Sequence, residues 1–123
     1  MNKSFLEKRV FARLEENANL RYKIIKPVPD EKEYLTAIKD ISVGGLAFIS
    51  QKKIPVGTIL MVKIELLDSL VPVECLAKVL RMSQVKERTE VFYQIGVLFL
   101  DLAMADSARI TQYIDAEKNP SSF

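Results

Sequence analysis

Apolar and polar residues alternate along most of this chain with a period of two. In "TILMVKIELL", Leu60, Val62, Ile64 and Leu66 fall on one side, and Ile59, Met61, Lys63 and Glu65 on the other. "VPVECLAKVLRM" sets Val71, Val73, Cys75, Ala77 and Val79 on one side, and "VFYQIGVLFLDL" does the same with Val91, Tyr93, Ile95, Val97 and Phe99. A strand turns successive side chains to opposite faces, so these runs predict half-buried antiparallel strands. The stretches "LRYKIIKPV", "EYLTAIKDIS" and "GGLAFIS" read the same way, with Pro27, Pro29, Pro55 and Gly57 marking turns. About six short strands with regular turns predict a small all-β antiparallel barrel, in which closure removes exposed edges. "QVKERTE" predicts a charged hairpin tip. Gly96, inside the last apolar run, predicts a bulge or the close approach of another segment.

The period then changes. In "MADSARITQYIDAEK", Ile110, Tyr113 and Ile114 stand at i, i+3 and i+4 and share a helical face, which the small Ser107 extends by a turn. A helix over about 104–117 is expected to cover an end or side of the barrel. The organisation predicted is an N-terminal arm (1–14), a barrel with its C-terminal helix (15–117) and a tail (118–123).

Composition narrows the chemistry. At 123 residues the chain can bury one core without staples. It has no histidine, which removes Ser-His and Cys-His nucleophile pairs and histidine metal sites. The single Cys75 lies in an apolar run and reads as a small buried hydrophobe. No pair of acids stands apart from the scattered surface acids, so an enzyme is not expected, nor a metal site. No apolar run reaches the length of a membrane span. The N-terminus lacks a signal-peptide pattern, so a cytoplasmic location is expected and membrane insertion is not.

Charge is unevenly spread. Residues 1–26 carry seven Lys/Arg against three acids, and the remaining chain carries eleven against thirteen. A basic leading segment points to an anionic partner, or to a solvated leader. Within it, "RVFAR" sets Arg9 and Arg13 four apart, after Lys8 and around Phe11. Two guanidinium forks can converge on phosphates or a purine edge and can stack on flat rings. "DISVGG" combines Asp40 and Ser42 with Gly44 and Gly45. A carboxylate there can accept from the N1–H and 2-amino group of a guanine, and Ser42 can donate and accept. The glycines would let the backbone reach positive φ and leave room for a flat ligand. The plain alternative is a hairpin turn whose side chains bond their own backbone.

The two motifs in this order, followed by "GGLAFIS", "IPVGTIL", "YQIGVLFLDL" and "ARITQYI", resemble the PilZ domain family over roughly residues 8–115. The resemblance implies a six-stranded antiparallel β-barrel with a C-terminal helix that serves as a bacterial receptor for cyclic di-GMP. Carried over, Arg9 and Arg13 would bind guanine edges and phosphates, and Asp40 and Ser42 would bond a guanine from the barrel. Gly45 would shape the turn, Gly44 would add a backbone contact, and Lys8 is compatible with an intercalated ligand pair. No other cofactor is implied.

The expected mechanism is an arm that orders over the ligand and makes a new surface for an unidentified downstream protein. Two other readings fit parts of the sequence. One is a PilZ-like interaction module that works without ligand. The other is a nucleic-acid-binding small barrel, which would want solvent-facing aromatics on its strands. Tryptophan is absent and most aromatics alternate toward the core, so no nucleic-acid partner is expected.

Overall fold

The computed structural model of the chain describes residues 18–66 and 71–118. Six antiparallel strands form a closed barrel: β1 (Asn19–Lys26), β2 (Tyr34–Ile41), β3 (Gly45–Ser50), β4 (Ile59–Glu65), β5 (Val73–Glu87) and β6 (Glu90–Phe99). Helix α1 (Met104–Lys118) follows. Around the barrel the order is β1-β2-β3-β6-β5-β4, and β4 closes onto β1. The third strand therefore pairs with the last one, and β4 crosses to the far side.

The predicted alternation becomes the core. Leu60, Val62 and Ile64 from β4, Val73, Ala77 and Val79 from β5, and Ile95 from β6 are fully buried. They meet Leu20 of β1 and Phe48 of β3, also fully buried. Burying each such large aliphatic or aromatic side chain contributes about 1.5–3 kcal/mol before the cost of ordering it. The charged partners in the alternation stay on the solvent side. Arg21 of β1, for example, donates to Glu65 of β4 at 2.9 Å.

The helix closes one end of the barrel. Ile110 is fully buried and Tyr113 nearly so, with Ile114 packed against the same cluster. The Tyr113 hydroxyl accepts the backbone N–H of Ala18 at 3.2 Å, joining the helix to the start of β1. Arg109 holds Asp106 at 3.2 Å and donates to the Val71 carbonyl.

Two expectations are corrected. The "QVKERTE" segment is mostly strand: β5 runs to Glu87 and β6 starts at Glu90, so the tip is only Arg88 and Thr89. Arg88 takes φ of 58° to make that tight reversal. Charged side chains are tolerated because the hairpin's end meets water, as the exposure of Lys86 and Arg88 indicates; there Val91, grouped by alternation with Ile95, is exposed and Phe92 is buried instead. Val71, placed by alternation on the buried side, is 66% exposed, because the strand begins only at Val73.

Candidate functional site

"DISVGG" forms the tight connection between β2 and β3. The Ser42 N–H donates to the Gly45 carbonyl at 2.8 Å, and the Phe99 N–H of β6 donates to the Gly44 carbonyl at 2.9 Å. The Ser42 hydroxyl accepts the Gly44 N–H at 3.2 Å and donates to the Gly45 carbonyl at 3.3 Å. Ser42 is thus a turn-builder, bonded to its own backbone. Asp40 is different. It is exposed, and its carboxylate takes no hydrogen bond or ion pair among the described residues.

The positive φ expected of the two glycines is not found. Neither enters the positive-φ region; among the described glycines only Gly57 does, at 96°. Gly45 is needed for close approach instead. A Cβ there would stand 1.9 Å from the Val97 carbonyl oxygen, so the β3–β6 seam has room only for hydrogen. Gly44 is unconstrained, since the nearest atom to a Cβ would be the Ser42 hydroxyl at 3.9 Å.

Beside this turn the barrel wall carries a row of four residues in register. Asp40 of β2 pairs with Ala47 of β3, Ala47 pairs with Gly96 of β6, and Gly96 pairs with Arg81 of β5. All four face outward, because Ile38, Ile41, Leu46, Phe48, Val79, Ile95 and Val97 take the inward positions beside them. An acid and a base therefore end a floor made of a methyl group and a hydrogen. The whole row, from Asp40 to Arg81, spans three inter-strand steps, about 14 Å across the sheet.

Each end of the row is preceded by a bulge. The β2–β3 register shifts between Ile38 and Asp40, and the β5–β6 register shifts between Val79 and Arg81. A bulge adds one residue, bends its strand and re-aims the next side chain. An open hollow of about 270 Å³ lies over the row, lined by Asp40, Ser42, Gly45, Arg81 and Gly96 among others. Gly96 behaves as predicted, since it faces a bulge and receives the Arg81 side chain. Arg81 was not singled out from the sequence. The only hint was Gly96, and nothing local says which residue would cross it.

Arg9, Arg13 and Lys8 lie outside the described residues. The first described residues meet β2 close in sequence to Asp40, however. The Ile38 N–H donates to the Ala18 carbonyl at 3.2 Å, and Asn19 pairs with Ala37. Ile38 stands two residues before Asp40 in β2. Arg13 is five residues from Ala18, a reach of at most about 17 Å.

Other charged and nucleophilic groups have structural partners. Arg21 is held by Glu65 and Glu33, which raise its pKa further. Asp30 accepts from the Tyr34 hydroxyl at 2.5 Å and the Lys32 N–H at 3.0 Å, with Lys52 at 3.5 Å, and these keep its carboxyl below the usual range. Cys75 is buried as expected. Burial, with Asp101 and Asp106 nearby, pushes its thiol up to about 12.

A family model described as the PilZ domain matches residues 7–116. No curated protein matches the chain. Among solved structures, the fold is similar to MrkH, described as a c-di-GMP-dependent transcription regulatory factor. The TM-score is 0.61 at 20% identity, over 79% of this chain and 44% of that one. This chain thus spans less than half the length of the MrkH chain. The fold is also similar to the PilZ domain of YcgR from Escherichia coli, solved with c-di-GMP. Here the TM-score is 0.59 at 15% identity, over 89% of each chain.

Proposed function

This chain belongs to the PilZ domain family, and on that premise we propose that it is a receptor for cyclic di-GMP that works by binding, without bond-breaking chemistry. The observation that carries the reading is Asp40: an exposed carboxylate, unpartnered among the described residues, at the edge of a hollow and at the end of a row whose middle positions are only Ala47 and Gly96. Ionised Asp40 is an acceptor only, and guanine presents two adjacent donors, N1–H and the 2-amino group. Charge-assisted bonds of this type are the strong ones.

Ser42 and Gly45 take part mainly by fixing where Asp40 stands. The Ser42 hydroxyl also retains a free lone pair for the ligand. Arg9 and Arg13 supply forks for the two phosphates and the second guanine. Their anchor point at Ala18, beside Ile38, supports their arrival at the open side of the hollow. Lys8 adds charge there, and Gly44 offers an unobstructed backbone. The leading segment then orders over the ligand, and the closed surface docks a downstream protein. The cytoplasm, where such a nucleotide would be made, is the compartment this function requires.

Titration calorimetry with cyclic di-GMP tests the reading directly. Saturable uptake at a defined ratio is expected. A flat titration at high protein concentration overturns the receptor reading and leaves a ligand-independent interaction module.

A further inference from the structure

The row that ends at Asp40 on one side ends at Arg81 on the other, and the geometry at that second end is specific. A Cβ built on Gly96 would lie 3.1 Å from Arg81 Nε, 3.2 Å from its Nη2 and 3.6 Å from Cζ. A point closer to both nitrogens than to the carbon joining them lies in front of the Nε–Nη2 edge, roughly in the guanidinium plane. The fork thus faces Gly96, and both residues line the hollow. Any side chain at position 96 would stand in it.

Arg81 also has no competing partner among the described residues. It is exposed, and among the described residues it makes no ion pair or hydrogen bond. Arg21 and Arg109, by contrast, are engaged with Glu65 and Asp106. A guanidinium beside Gly96 and the Asp40 carboxylate, unpaired among the described residues, thus end one row and line one hollow, two donors at one end and two acceptors at the other. A planar group that meets both needs donors on one edge and acceptors on another.

Guanine has this arrangement. Its N1–H and 2-amino group form one edge, and its O6 and N7 acceptors are the group an arginine fork pairs with in two parallel bonds. Adenine places an amino donor beside N7, so it cannot accept both bonds. We infer that Arg81 is a ligand-contacting residue that receives the O6/N7 edge of the guanine whose N1–H and 2-amino edge Asp40 holds, so that the wall itself selects guanine over adenine. This rests on the receptor reading above and adds to it a residue of the barrel, outside both sequence motifs.

The test is a two-by-two titration: wild type and Arg81→Gln, each with cyclic di-GMP and with its analogue carrying 7-deazaguanine, which lacks the N7 acceptor. Wild type should bind the analogue about tenfold more weakly than the parent. Arg81→Gln should bind the parent about tenfold more weakly and should no longer distinguish the two. Gly96→Ala, which places a methyl before the fork, should behave like Arg81→Gln, and it serves as the second variant if the first fails to fold by circular dichroism. Wild-type affinity in Arg81→Gln, or an equal loss for the analogue in both proteins, overturns the assignment while the receptor reading stands. No uptake of cyclic di-GMP by wild type overturns both.

Discussion

Gly45 sits so close to Val97 that a Cβ on it would stand 1.9 Å from the Val97 carbonyl oxygen. Backbone, not a flexible side-chain end, is what it would strike, so the β3–β6 seam would have to part. Gly45→Ala should destabilise the fold by an amount at or beyond the upper end of about 1–3 kcal/mol. Gly44→Ala, one residue away, meets only the Ser42 hydroxyl at 3.9 Å and should be nearly neutral. Denaturant unfolding of the pair checks this, and equal stabilities would contradict it. Loss of ligand binding in Gly45→Ala would then report folding as much as contact.

Asp40 gives the opposite pattern. Its carboxylate is exposed and unpaired among the described residues, so Asp40→Asn should leave stability within about 0.5 kcal/mol of wild type. Cyclic di-GMP affinity should fall about tenfold or more, because a charge-assisted bond is lost. Arg9→Ala should do the same. Calorimetric titration decides, and unchanged affinity in both variants would remove these residues from the site.

Ordering of the leading segment predicts a change confined to it. Amide hydrogen exchange across residues 1–15 should slow when cyclic di-GMP is added, while exchange in β4 stays as it was. Equal protection with and without ligand would eliminate the closing step and leave the binding reading intact.

Asp30 predicts an acid dependence. Its carboxyl is held below the usual range by the Tyr34 hydroxyl, the Lys32 N–H and Lys52. A carboxyl with a depressed folded pKa adds stability that is complete above its unfolded value, about 3.9, and lost as pH falls through the folded value. Asp30→Asn should therefore lower Tm at pH 7, and the gap to wild type should close on acidification below about pH 4. Thermal melts from pH 7 to 2 test this. A constant gap would mean that packing, not ionisation, explains the difference.

Cys75 should be inert in the folded protein. The thiolate is the reactive form, and this thiol is 3% exposed and pushed up to about 12. A thiol-specific reagent at pH 8 should modify it only after denaturant is added. Prompt labelling of the native chain would show that β5 opens readily.

The sequence by itself determined the barrel wall and its lid. Leu60, Val62 and Ile64 repeat every second residue, and Ile110 and Tyr113 three apart, because strand and helix geometry impose those periods locally on any side chain that must be buried. It also marked Asp40 and Ser42, through their spacing from the glycines. Which residues share the outer wall with them was decided by tertiary structure alone. Arg81 is forty-one residues from Asp40, and it reaches the same row only because β3 pairs with β6 out of chain order. Two bulges must also each shift the register by one residue. A one-residue slip moves a strand side chain to the opposite face, so without those bulges the same sequence would not bring Arg81 and Asp40 to one row. The role of Gly45 is of the same kind. Nothing near it in the chain requires a hydrogen there, and the requirement comes from the carbonyl of Val97, fifty-two residues away, once the barrel closes.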